Sequence, residues 1–360
     1  MSIDSLFKSL SKFQENSIED LNNRTKGFIL PKQIYSIAYF AMLFQISAIY
    51  FFTALDKYGY ENLSKEGVNS ITLPLGKLEI KRPVKSLHII LRSCASVKML
   101  TQSKERIFSK EKYEYSIRTL NSLVKSLNYS RKLFNNIDIK FTVVDHSSEK
   151  NIIQKYKQIL DNQFFDYEII NLEFEKYKSS IENINQQNKI VTENQKSNMA
   201  NIKQSLSLAK NSDDLIYFVE DDYLHKDNSI EEMIFTYEKL STLFNDELFL
   251  CPIDYPYLYM EPNKTNILIG NSHHWRRIDQ TLCTFLTSSQ MINRHFNQLV
   301  RMCEKEHYPF EKPLHEIYKK EYCFSPIPSL AVHFTNVNSV YGISPNMNLD
   351  KLWSENEFKE

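Results

Sequence analysis

The chain has 360 residues, 42% of them hydrophobic and 13% aromatic, enough to bury a full core, which excludes a disordered or fibrous protein. Lysine plus arginine and aspartate plus glutamate balance at 44 each, so no net field steers the chain to nucleic acid. Five scattered cysteines, Cys94, Cys251, Cys283, Cys303 and Cys323, have no CxxC spacing; they argue against a zinc or disulfide framework and read as free thiols of a reducing, cytoplasmic compartment.

Residues 34–55, IYSIAYFAMLFQISAIYFFTAL, carry no charge over about the length that crosses a bilayer. Arg24, Lys26 and Lys32 precede them, so a spanning helix would keep the short N-terminus inside. Gln45 and several small polar residues weaken the run, which favours a buried or peripherally membrane-apposed helix over a span. The expected organisation is a helical N-terminal extension at 1–80, one large domain at 81–345 and a tail at 346–360.

From Leu87 onward, strand-like and helix-like segments alternate, which is the signature of parallel strands joined by crossover helices. LHIIL is a strand followed by the turn RSCAS. EYSIRTLNSLVKSL carries Ile117, Leu120, Val124 and Leu127 at helical spacing, and DIKFTVVD is a strand ending at Asp145. IIQKYKQIL reads as a helix and DYEIINLE as a strand. The polar stretch 175–197 reads as a flexible loop over the site. Asn198 to Lys210 is a helix, LIYFVED a strand, SIEEMIFTYEKL a helix and ELFLCPIDY a strand ending at Asp254. Then come a strand in RIDQTLCTFLTS, helices in MINRHFNQLVRMCEK and EKPLHEIYKKEY, a short strand SLAVHF and an irregular tail. The fold class is α/β, a mostly parallel sheet flanked by helices. With only six glycines and no GxGxxG or GxxxxGK[ST], a Rossmann dinucleotide site and a P-loop are both disfavoured.

The chemically loaded element is the strand LIYFVEDDYLH, which ends in Glu220, Asp221 and Asp222. Side chains alternate across a strand, so Glu220 and Asp222 share one face and Asp221 leans to the other. Two hard oxygen donors on one face suit Mg or Mn. An acidic strand-to-helix turn is the alternative. HHWRR at residues 273–277 groups His274, Trp275 and Arg276 in a loop, either as a wall for a sugar-like ligand, since an indole packs on the C–H face of a sugar and a guanidinium grips phosphate or carboxylate, or as a loop whose Trp275 anchors the core. Asp254, in IDYPYLYM, offers a second wall.

Strand with RS turn, helix, strand ending in Asp, helix, strand, the NMANIKQSLSLAK helix and the strand with VEDD together resemble the GT-A (Rossmann-like) nucleotide-sugar glycosyltransferases of the family 2 type. The triplet is also similar to that of N-acetylglucosaminyltransferases. The resemblance covers roughly residues 85–334. It implies nucleotide contacts from Arg92 and Ser93, a base or ribose contact from Asp145, a donor-pocket role for Asn201, a ribose contact from Glu220 or Asp221, and a divalent metal (Mn or Mg) on Asp222, completed by His333. It places the catalytic base at Glu311, with Glu316 one helical turn on as understudy; the family's aspartate beside the base is Lys312 here. The chemistry implied is inverting, metal-dependent transfer of a hexosyl group from a nucleotide-diphosphate donor to a glycan, lipid-linked or other hydroxyl acceptor, in glycan or cell-surface polysaccharide synthesis. No arginine-rich loop near His333 offers a second grip on phosphate. A non-catalytic binding module of the same fold and a sugar nucleotidyltransferase are the alternatives; the second usually needs a glycine-rich first loop, which RSCAS lacks.

Overall fold

The computed structural model describes residues 70–73, 76–95, 106–134, 136–262, 264–335 and 339–359. The apolar segment 34–55 and nearly all of the expected N-terminal extension lie outside them. Among the described residues, no helix is long and apolar enough to cross a membrane.

A hairpin of β1 (Ser70–Leu73) and β2 (Gly76–Glu79) leads to β3 (Ser86–Ser93), which is buried from Leu87 to Ser93. Helix α1 (Lys112–Ser130), β4 (Asp138–Asp145), α2 (Lys150–Leu160), β5 (Asp166–Asn171) and the short α3 (Phe174–Lys178) follow. Next come α4 (Glu193–Ala209), β6 (Leu215–Glu220), β7 (Tyr223–His225) and α5 (Ser229–Phe244), then β8 (Phe249–Leu250), β9 (Ile267–Ile269), β10 (His274–Arg277) and β11 (Phe285–Ser288). The chain closes with α6 (Ser289–Val300), α7 (Lys312–Tyr318), β12 (Cys323–Ile327), β13 (Ala331–His333) and α8 (Leu349–Glu355).

Nine of these strands form one sheet in the order β5-β4-β3-β6-β11-β8-β12-β10-β9. The expected α/β class holds, but the sheet is mixed. Parallel pairing runs through β5, β4, β3 and β6 and returns only at β8 with β12; the other neighbours are antiparallel. The difference follows from connection length: the parallel strands are joined through helices, whereas β9 and β10 are joined by a hairpin-sized link. Helix α1 buries Ile117, Leu120, Val124 and Leu127, the residues whose spacing predicted it, and packs with α2 and α5. Helix α4 packs with α6, and α6 with α7, so two helical groups flank the sheet.

Three local expectations are corrected. The polar stretch 175–197 is built structure: α3 opens it, Ile181 and Val191 are buried, and its backbone N–H groups at Glu182 and Gln186 donate to the carbonyls of Glu304 (2.7 Å) and Glu306 (3.2 Å). Helix α4 starts five residues before Asn198, because the Thr192 hydroxyl accepts from the Gln195 N–H at 3.2 Å and caps it. The tail is not irregular: α8 places Trp353 against Phe108, Phe334 and Tyr115, with Arg118 over the indole at 4.3 Å.

Candidate active site

Sheet register assembles the site. In the parallel ladders Arg92 stands beside Glu220 and Ser93 beside Asp145, so the C-terminal ends of β3, β4 and β6 deliver three of the expected residue groups to one edge. Past Glu220 the chain turns at Asp221 and Asp222 and re-enters as β7, which pairs antiparallel with β13. That small ladder sets Tyr223 opposite His333, which brings the imidazole Nε2 to 3.4 Å from Asp222 Oδ2 across about 110 residues of sequence.

Each acid of the triplet has a different cationic partner. Glu220 Oε1 lies 2.9 Å from Arg92 Nη2. Asp221 Oδ2 accepts from the Cys94 backbone N–H at 3.0 Å and lies 3.3 Å from Lys112 Nζ. Asp222 Oδ2 accepts from Arg106 Nη2 at 2.7 Å. The strand ends at Glu220, and Asp221 and Asp222 lie in the turn after it, so the expected strand alternation does not run through the triplet; the turn aims Asp221 at the end of β3 and Asp222 at His333. The charges of His333 and Arg106 outweigh burial and hold the Asp222 carboxyl well below the usual carboxylate range, and Asp222 in turn raises His333. His333 is further fixed by its Nδ1, which donates to the Tyr341 carbonyl at 2.8 Å, and by stacking on Tyr223 with centroids 4.5 Å apart.

Asp145 is buried and accepts from the backbone N–H (3.0 Å) and hydroxyl (2.6 Å) of Ser148; burial raises its carboxyl. Arg92 Nη1 donates to Asn198 Oδ1 at 3.0 Å. The Ser93 hydroxyl is sealed in the core with Tyr156 OH at 2.9 Å, and its carbonyl accepts from the His146 backbone N–H at 2.9 Å, so the side chain is not free for a ligand contact. Glu311 is partly buried at the N-terminal boundary of α7. Burial and the charge of Glu220 push its carboxyl up to about 8, against the opposing pull of Arg92 and His333. The same interactions show that Glu311 shares an electrostatic neighbourhood with Glu220, Arg92 and His333. Glu316 points elsewhere, toward Gln298 (3.4 Å) and Arg301 (3.9 Å), and is not brought to the site.

Asn201 is also not free to line a donor pocket. Its Nδ2 donates to the Val144 carbonyl at 3.0 Å and its Oδ1 accepts from the Ser205 hydroxyl at 3.3 Å, so it braces α4 against β4. Asn198, one helical turn earlier, is the asparagine that faces Arg92. The HHWRR strand is β10, four places along the sheet from β6. Trp275 is wholly buried and donates from Nε1 to Glu232 Oε1 at 3.0 Å, which makes it a core anchor rather than a sugar platform. Arg276 is buried on Asp254 and lies over the Tyr259 ring at 4.4 Å, while Tyr259 OH also donates to Asp254. The Asp254 carboxylate is thereby spent inside the fold. Of the three residues expected to form that wall, His274, Trp275 and Arg276, only His274 is exposed, on β10.

Arg106 and Lys112 carry no sequence signal, since each is a single cation far from the triplet in sequence and only the fold supplies the meeting. The described residues contain no group of three or more His, Cys, Asp or Glu placed to hold a metal ion. Asp222 Oδ2 faces Arg106 and His333, and Glu220 and Asp221 face Arg92 and Lys112. This donor set does not fit a protein-held divalent cation.

No known family profile and no curated relative matches the chain. Solved structures similar to it include the galactosyltransferase LgtC in complex with donor and acceptor sugar analogues, at 10% identity over 60% of this chain and 65% of that one, TM-score 0.30. They also include S. aureus TarS, residues 1–349, at 13% identity over 60% and 55%, TM-score 0.33. A third is mouse xyloside xylosyltransferase 1, apo form, at 10% identity over 65% and 76%, TM-score 0.35. The chain spans less than two thirds of the first two.

Proposed function

We propose that the chain is a glycosyltransferase that moves a sugar from a nucleoside-diphosphate donor to an acceptor hydroxyl with inversion, in glycan or cell-surface polysaccharide synthesis. The observation that carries this reading is the convergence of Arg92, Asp145, Glu220, Asp221 and Asp222 at the C-terminal ends of β3, β4 and β6, with Glu311 and His333 alongside. Open α/β sheets take their ligands at that edge. Buried carboxylates with spare lone pairs accept from ribose and sugar hydroxyls, and the cations paired with them suit a diphosphate.

Glu311 supplies the base. In its ionised form it takes the proton of the acceptor hydroxyl; the oxygen attacks the anomeric carbon from the face opposite the donor phosphate, and the bond from that carbon to the phosphate oxygen breaks. The electron pair leaves with the nucleoside diphosphate. A carboxyl held near 8 is a stronger base than an ordinary glutamate and reaches its ionised form as pH rises through that value.

The test is a panel of nucleotide sugars offered with hydroxyl acceptors, scored for release of nucleoside diphosphate and for the anomeric configuration of the product. Turnover should fall by about 10²–10⁴-fold in Glu311→Gln and stay near wild type in Glu316→Gln. Absence of release from every donor, or full activity in Glu311→Gln, would overturn the assignment.

A further inference from the structure

We propose that Arg106 is the cation that meets the donor diphosphate, so that the site binds and turns over its donor without a divalent metal. The inference rests on the glycosyltransferase reading and deepens it at the same site.

Three observations carry it. First, Asp222, where the resemblance puts the metal, already has its Oδ2 on Arg106 Nη2 at 2.7 Å, with His333 Nε2 at 3.4 Å. Second, the triplet as a whole is matched one for one: Glu220 by Arg92, Asp221 by Lys112, Asp222 by Arg106. A dication seeking the triplet would find each of its carboxylates already paired and would have to displace cations that the fold holds in place. Third, Arg106 is 8% exposed, yet among the described residues its Nε and Nη1 have no partner. Buried polar groups are almost always satisfied, and the unpartnered Nε–H and Nη1–H, which leave the guanidinium from different edges, are free to meet separate oxygens of a diphosphate. The guanidinium is also pre-oriented, because Arg106 lies over the Tyr115 ring at 4.8 Å and Nη2 is fixed by Asp222. In this arrangement Asp222 is a positioning residue: it holds Arg106, and Arg106 offers its remaining donors to the ligand.

The two accounts make opposite predictions for Asp222→Asn, a change of nearly equal shape. If Asp222 ligates a metal, losing its charge abolishes metal-dependent binding. If Asp222 only orients Arg106, the site becomes more positive by one unit, and affinity for a diphosphate is kept or rises severalfold. Titration calorimetry of the full chain with UDP, GDP, dTDP and ADP, in EDTA and again with Mn, reads both. We expect one of these to bind in EDTA with an affinity that Mn changes by less than about threefold, Asp222→Asn to bind at least as tightly, and Arg106→Gln to bind at least about tenfold more weakly, with Arg106→Lys between. Wild type and Asp222→Asn decide the question even if the Arg106 variants do not fold. Binding that requires Mn, or that Asp222→Asn abolishes, would overturn the inference and leave the glycosyltransferase reading standing. Failure of all four nucleotides under both conditions would overturn that reading and this inference with it.

Discussion

Glu311→Gln is expected to change the pH dependence of folding stability as well as turnover. Burial and the nearby Glu220 charge raise the Glu311 carboxyl from an ordinary 4.5 to about 8. Between those two values the native protein holds a proton that the unfolded chain has lost. Stability therefore falls as pH rises, by up to about 1.4 kcal/mol per unit for one proton. The full difference of 3.5 units corresponds to at most about 5 kcal/mol, lost progressively from about pH 4.5 up to about pH 8. Glutamine has the shape of the protonated acid and no charge to lose. Urea unfolding at half-unit steps from pH 5 to pH 9 should show wild type losing stability relative to Glu311→Gln up to pH 8, with the two curves parallel above it. Glu220→Gln should shift that break to lower pH, because it removes the second cause of the raised value. A wild-type minus Glu311→Gln difference that is flat across the whole range would refute the argument that this carboxyl sits in a site hostile to its charge.

The same titration should govern catalysis: kcat/KM rises with pH through about 8 as Glu311 ionises, and a profile already flat from pH 6 would count against it as the base. Trp275→Ala should cost about 3–5 kcal/mol by chemical denaturation, because the indole is wholly buried on Glu232, while the acceptor KM of the folded fraction stays within about twofold; a large KM change with intact stability would restore an acceptor role. Gly270→Ala should destabilise by about 1–3 kcal/mol in a thermal melt, since a methyl there collides with the Trp275 indole and the Glu232 carboxylate. Trp353→Ala should lower the melting temperature and release α8 to proteolysis, since the ring packs on Phe108, Tyr115 and Phe334; an unchanged digestion pattern would contradict this.

Much of the parallel half of the fold was legible because each element there has a strong local period: LHIIL and LIYFVE as buried runs, Leu120, Val124 and Leu127 as a helical stripe. The antiparallel half was not. β8 is two residues long and β10 and β11 are four each, too short for alternation to register, so ELFLCPIDY and RIDQTLCTFLTS were read as longer strands. At the site, the acids could be found because they are consecutive, and His333 because it ends a short strand in the order the resemblance implies. Their partners could not. Arg106 and Lys112 are ordinary arginine and lysine positions in sequence, and only the fold makes them counter-ions of the triplet. Trp275 and Arg276 misled for the opposite reason: aromatic and cationic side chains in one short run suit a sugar wall and a buried anchor equally, and burial decides between them.

The most direct test of the central assignment is where a photoreactive nucleoside diphosphate attaches when irradiated on the full chain and mapped by peptide mass spectrometry. The account predicts label on peptides holding residues 92–95, 145–148 or 220–223, at the C-terminal ends of the parallel strands, and its loss on competition with the unmodified nucleotide. Specific, competed label would contradict it if it mapped to the β9–β10 edge or to the cavity of about 670 Å³ at the opposite strand ends, lined by Ser86, Asp138 and Asp166.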